Sequence, residues 1–144
     1  MSFTGDLLDG YAALIAAAGI GTVRSDGSAY QASETAITFG AMPSEPDRAI
    51  TLTAYPVRDD PSLSDSVVGL QVRTRGGSDP HDVEGLADAL FDLLHHPQAH
   101  TVGAIRVVQA LRNSGGPLGR DENNRWERSD NYYVTVNRPT ANRT

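Results

Sequence analysis

The chain reads as an α+β domain: a mixed, mainly antiparallel sheet with two main helices packed on one face. Three observations predict this class. Two stretches repeat apolar residues at three- and four-residue intervals, the period of an amphipathic helix. Several shorter runs alternate apolar and polar residues with period two, as half-buried strands do. One helical stretch lies between two strand patterns, which suits a parallel crossover, and the two last strand patterns suit a hairpin, so layers of sheet and helix are expected.

The first helix is expected over residues 6 to 18. Leu7, Leu8, Tyr11, Leu14, Ile15 and Ala18 make its apolar stripe, Thr4 is its expected cap, and Gly19 with Gly21 supplies the stop. An Ala-rich flank (Ala12, Ala13, Ala16, Ala17) lets a neighbouring backbone approach closely. From Thr22 to Ala32 the pattern is weak, with Asp26-Gly27 as a turn signal. Residues 34 to 57 then hold two β-rich runs separated by a Pro- and charge-rich turn. In the second, Ile50, Leu52 and Ala54 alternate with Thr51, Thr53 and Tyr55. RDDPSLSDS, residues 58 to 66, is expected as a surface loop.

Val68, Leu70 and Val72 alternate with Gly69, Gln71 and Arg73, and Gly76-Gly77 ends that strand. Asp79 is placed to cap the second helix, with Pro80 at its first position and Asp82 and Glu84 in the first turn, where the helix dipole favours anions. Its core stripe is Val83, Leu86, Ala87, Leu90 and Leu94, widened by Phe91 and Leu93, and His95-His96-Pro97 ends it. A strand follows around Ile105, Val107 and Leu111. NSGGPLGRDENN, residues 113 to 124, reads as a mobile projecting loop. Tyr132, Val134 and Val136 mark the last strand, and residues 139 to 144 are expected to be a short flexible tail.

The length of 144 residues fits one domain, 1–144, with a core large enough to hold without staples. There is no cysteine, so neither disulfides nor a thiolate metal site contribute. No apolar run approaches the roughly 20 residues a bilayer span needs, and the N-terminus lacks a basic leader, so a soluble, unexported chain without membrane partners is expected. Net charge is −6, and all 12 basic residues are arginine. An acidic domain is a poor general DNA binder, because phosphate neutralisation drives that affinity.

Chemistry is sparse. His95, His96 and His100 are close in sequence, but adjacent helical positions point about a hundred degrees apart and Pro97 interrupts any i, i+4 pair. Asp59, Asp60 and Asp65, and Asp79, Asp82 and Glu84, lack the spacing of a calcium loop. No GxSxG elbow surrounds a serine and no Gly-Lys-Ser/Thr follows the glycines. Neither an enzyme nor a cofactor is expected. The least bland feature is the set Arg120, Asp121, Glu122, Arg125, Trp126, Glu127, Arg128 and Asp130, which places both signs of charge around the only tryptophan. Trp and Arg are enriched at binding hot spots. Arg73 and Arg75 are a second basic pair. Trp126 equally fits the chain's own core.

The order of these pieces carries a resemblance. An opening helix, FGAMPSEPDRAITLTAYPV, LQVRTRG, DVEGLADALFDLL and NYYVTVNRP follow one another, with Phe39-Gly40-x-x-Pro43 and Asn131-Tyr132-Tyr133 the most suggestive stretches. The chain resembles the terminator, or minor capsid, proteins that finish the tail tube of long-tailed bacteriophages. The resemblance implies a virion protein at the tail–neck junction, made in the host cytoplasm, that forms a hexameric ring. Its implied partners are its own copies, the tail tube protein and the head-completion or connector protein, with genome DNA passing the lumen without specific binding. Arg73, Arg75, Arg120, Asp121, Glu122, Arg125, Trp126 and Arg128 are the candidate subunit-interface residues, the basic pair of one subunit meeting the hairpin of the next. Other readings stay open: a neck, head-completion or tail-tube protein, or a small bacterial ligand-binding or regulatory domain.

Overall fold

The computed structural model describes residues 2–143. Helix α1 spans Phe3–Ala17. Its cap is Ser2, not Thr4: the Ser2 backbone is extended and its hydroxyl accepts from the Gly5 N–H at 2.9 Å, which lets the helix start two residues before Gly5. Gly19, at φ 75°, ends it by supplying the left-handed turn that closes a helix C-terminus.

Seven strands follow: β1 (Thr22–Val23), β2 (Ala36–Phe39), β3 (Ala49–Asp59), β4 (Asp65–Arg75), β5 (His100–Val102), β6 (Ile105–Arg120) and β7 (Trp126–Asn137). They form one sheet in the order β1-β2-β3-β4-β7-β6-β5. The pairs β1/β2 and β2/β3 are parallel and the others antiparallel, so the class is α+β with a mixed sheet. Helix α2 (Pro80–Leu94) has the expected cap, with Asp79 accepting from the His81 N–H. It leads from β4 through the short β5 to β6, which runs parallel to β4 but is separated from it by β7. The expected crossover is therefore split by the returning arm of the hairpin.

The helices do not form a plain pair on one face, because the sheet curls. Helix α1 touches β1, β3 and β5, elements from both ends of the strand order, while α2 meets β4, β6 and β7. One hydrophobic cluster nevertheless joins Leu7, Tyr11 and Ile15 of α1, Leu86, Leu90 and Leu94 of α2, and Leu70, Val72, Tyr132 and Val134 of the central strands. The second-helix stripe read from the sequence is buried as expected.

Three local expectations change. Residues 58–66 are a loop only in part: both ends are strand and the turn narrows to 60–64, where the Asp60 carboxylate accepts from the Ser62 and Leu63 N–H groups. Residues 113–124 are not a mobile loop. Strand β6 runs to Arg120 and only 121–125 turn, because β7 offers a ladder along the whole length. Bulges between Arg112 and Ser114 and between Pro117 and Gly119 absorb the glycines and the proline. Pro117 is tolerated because the outer side of β6 there is a sheet edge. Finally, of the tail expected over 139–144, residues 139–143 are tied down and Thr144 lies outside the described residues. Arg138 N–H donates to the Ser64 carbonyl, and the Arg143 guanidinium donates to the Leu63 and Asp65 carbonyls and to Ser66 Oγ.

Candidate functional site: the distal end of the hairpin

Strand alternation sorts the charged residues onto two faces. On β4, Leu70 and Val72 face the core, and so does Thr74; Arg73 and Arg75 therefore face away from it. Register places Glu127 opposite Arg75 and Arg128 opposite Thr74, so the sheet's far end carries arginines on both sides.

On the face away from the core cluster, Arg73 Nε donates to Glu127 Oε1 at 2.8 Å. Arg75 is only 3% exposed, and it donates to the Asp47 and Pro46 carbonyls at 2.8 and 2.7 Å. Burial, reinforced by the like charge of Arg125, holds the Arg75 guanidinium below its ordinary value. Arg125 sits beside it, donating to Asp121 Oδ2 at 2.9 Å and to the Ser44 carbonyl at 2.7 Å, with Asp47 at 3.3 Å. The loop over residues 40–48 is thus stitched to the hairpin end by two buried guanidinium groups.

Asp121 organises the turn itself. Its Oδ1 accepts from the Asn123 and Arg125 N–H groups, and Asn124 takes the left-handed conformation that the tight turn needs. Burial works against ionising Asp121, but the hydrogen bonds from Arg125 and Asn123 outweigh it and hold the carboxyl below the usual range. On the core face, Arg128 binds Asp130 through both Nε and a terminal nitrogen, at 2.9 and 2.7 Å, and reaches Glu84 of α2 at 2.7 Å. Hydrogen bonding to Asp130 raises the Arg128 value despite partial burial. Trp126 is neither core nor free. It is half-buried, donates Nε1–H to the Ser78 carbonyl at 3.1 Å, and lies under the Arg120 guanidinium, 5.5 Å away.

All eight residues singled out from the sequence therefore gather at one end of the sheet. Within the chain, Arg73 meets its own hairpin, and Arg75 and Arg125 are buried. Arg120 and Glu122 remain exposed, as does part of Arg73. The 40–48 loop was missed as a participant. Its sequence signal is Asp47 beside Pro46, a turn-forming pair whose carbonyls face the arginines.

This arrangement positions and locks; it does not present reactive groups. Burial raises the Tyr11 phenol and pushes Tyr132 up to about 12, but both rings are sealed in the core. Among the described residues no group of three or more His, Cys, Asp or Glu is placed to hold a metal ion. His96 and His100 stack ring on ring at 3.8 Å and do not converge on a point. No helix among the described residues is long and apolar enough to cross a membrane.

A family model described as bacteriophage tail terminator protein matches residues 14–138. The chain belongs to the bacteriophage tail terminator family. The match runs from the last turn of α1 to the residue after β7, so this tail terminator family member carries the hairpin end and its arginine networks inside the matched region. Among solved structures, a chain of the virion of a native gene transfer agent particle shares the fold, with a TM-score of 0.60 at 12% identity over 94% of each chain. No curated protein matches the sequence.

Proposed function

We propose that the chain is a structural virion protein that closes as a hexameric ring on the head-proximal end of a phage-like tail. There it ends tail-tube polymerisation and joins the tail to the head's connector. The observation that carries this reading is the family match across residues 14–138. The fold shared with a gene transfer agent virion chain supports it. So does the site's character, a rigid charged edge without convergent reactive groups.

The mechanism is steric. One rim of the ring copies the contact a tube subunit offers, and the other refuses a further tube layer while fitting the connector. A ring is a heterologous contact that closes on itself, so each subunit needs complementary patches on different sides. The hairpin end is one such patch. Arg120, Glu122 and the exposed part of Arg73 make its contacts, while Arg75, Asp121, Arg125, Trp126 and Arg128 hold its shape. The net charge of −6 gives passing DNA little to bind. The protein is made in the host cytoplasm and carried in the virion at the tail–neck junction, without a catalytic role.

Electron microscopy of the purified protein, alone and mixed with its tail tube protein, tests this. Six-fold rings, and tubes that stop growing once the protein is added, are expected. Particles that stay monomeric in both conditions overturn the ring. One observation favours a second reading. The hairpin of β6 (16 residues) and β7 (12 residues) is long, as a stacking tube subunit requires. Self-assembly into open tubes identifies that case.

A further inference from the structure

The basic residues of β4, expected from the sequence to meet a neighbour's hairpin, also bond within their own subunit, Arg73 to Glu127 and Arg75 to the Pro46 and Asp47 carbonyls, so they are partly engaged. Two other features are not. The first is the outer edge of β6. Strand β5 covers only residues 105–107 and an isolated bridge reaches Ala110, so beyond that point β6 has a neighbour on one side alone. Unpaired edges of this kind are docking templates. Beyond Ala110 this one exposes Leu118 to 54% and carries Arg112, which lies 3.9 Å from Asp130, and Arg120; Arg106 lies on the part paired with β5, and the strand has no acidic residue in 16 positions. Arg106 forms no ion pair among the described residues, and Arg120 meets only the neutral Asn124 and the Trp126 ring.

The second feature is a groove of 510 Å³ at the other end of the strand order, between α1 and the β1–β2 edge. Ala12 and Ala13 of α1, Val23, Ile37 and Phe39 give it an apolar lining, and Phe39 is 41% exposed. Its helical wall is acidic: Asp9 lines the groove, Asp6 lies one turn before it, and α1 contains no basic residue in 15 positions, while Arg24 on the opposite wall is neutralised by its pair with Glu34 at 2.7 Å. Both aspartates are exposed and unpaired among the described residues.

We propose that this groove is the seat for the β6 edge of a second copy of the chain, with Leu118 entering between Ala13 and Phe39 and Arg120 meeting Asp9. The proposal rests on the ring reading and says which surfaces close it. Three properties match. A protruding apolar residue faces an apolar hollow. A strand with only positive charge faces a helix with only negative charge. The two patches lie at opposite ends of the strand order, so using one leaves the other free for the next copy, as a head-to-tail ring demands. The turn 121–125 and the stitched 40–48 loop keep the entering edge rigid, which lowers the ordering cost of association.

The cysteine-free chain allows a clean test. The double variant Ala13→Cys/Leu118→Cys is purified, assembled, and oxidised or bridged with a short bis-maleimide. Covalent dimers, trimers and higher species up to the ring size are expected, and either single variant gives nothing beyond dimer. In parallel, Asp9→Arg and Arg120→Glu should each raise the concentration needed for assembly about tenfold. The combined Asp9→Arg/Arg120→Glu chain should recover, because every contact then regains opposite charges. Rings seen by native mass measurement without the covalent ladder overturn this docking and leave the ring intact. A monomer-sized internal bridge as the only product overturns it too. Chains that stay monomeric with and without tube ends overturn the ring and the docking together.

Discussion

The two ends of the sheet are built on different physical plans. Near its middle, cross-strand rows are apolar: Pro56, Val68, Val134 and Ala110 form one row, and Ala54, Leu70 and Tyr132 the next. Both helices bury their stripes against this part. Toward the turn end the same rows become Val72–Asp130 and Thr74–Arg128 on one face and Arg75–Glu127 on the other. The first region is held by area removed from water, which tolerates modest changes of shape. The second is held by forked guanidinium contacts to carbonyls and carboxylates, which fix direction as well as distance. On the function proposed above, the edge must keep its shape, and the second plan supplies that. Apolar packing alone would leave it soft or sticky.

The largest expected effect breaks the first region. Leu90→Ala empties a position 1% exposed under the sheet and should cost about 4 kcal/mol in denaturant unfolding, because transfer and cavity terms add. The hairpin end should unfold together with the rest, in one transition. A separate early transition of the hairpin would show that the two regions are independent.

Next comes the second region. Arg125→Ala leaves the Asp121 carboxylate and the Ser44 carbonyl without their donor, and should cost about 3 kcal/mol. Arg125→Lys should recover only part of this, since one ammonium cannot serve Asp121 and Ser44 with the same fork. Full rescue by lysine would mean that charge alone matters there. Gly115→Ala probes the opposite face. A Cβ at Gly115 would collide with the Asp130 carboxylate, so the Arg128–Asp130 pair must shift. An overpacking cost of about 2 kcal/mol follows, read as a lowered unfolding midpoint.

The contrast also explains what was legible in the sequence. The second helix was readable to its cap and its core stripe, because Asp79, Pro80 and the Val83–Leu94 period each state a local requirement. The alternating strands at 50–55, 68–73 and 132–136 were readable for the same reason. The far half of β6 was not: Gly115, Gly116, Pro117 and Gly119 argue locally for a loop, and only the partner strand β7, distant in sequence, overrides them. Strand β5 was hidden by three residues whose pairing depends on a two-residue turn with Gly103 at φ 59°. The candidate interface residues were found together, but the bonds they make within the chain were not legible. Composition shows that arginines and carboxylates are present, whereas register decides that Arg73 meets Glu127 of its own chain.

The smallest effect sharpens the comparison through pH. The Asp121 carboxyl is held below its ordinary value in the folded chain, so the folded state keeps it ionised where the unfolded state begins to protonate it. Its contribution is therefore complete above the unfolded value of about 4 and is lost as pH falls through the lower folded value. Asp121→Asn should lower the unfolding midpoint near neutral pH, and the gap to the unsubstituted chain should close on acidification below about pH 4. Leu90→Ala removes no charge, so its gap should persist over the same interval. If both gaps close in parallel, acid is loosening the whole molecule and the turn has no separate electrostatic lock. A gap that closes for Asp121→Asn alone would locate the acid-sensitive contact at the turn that shapes the edge.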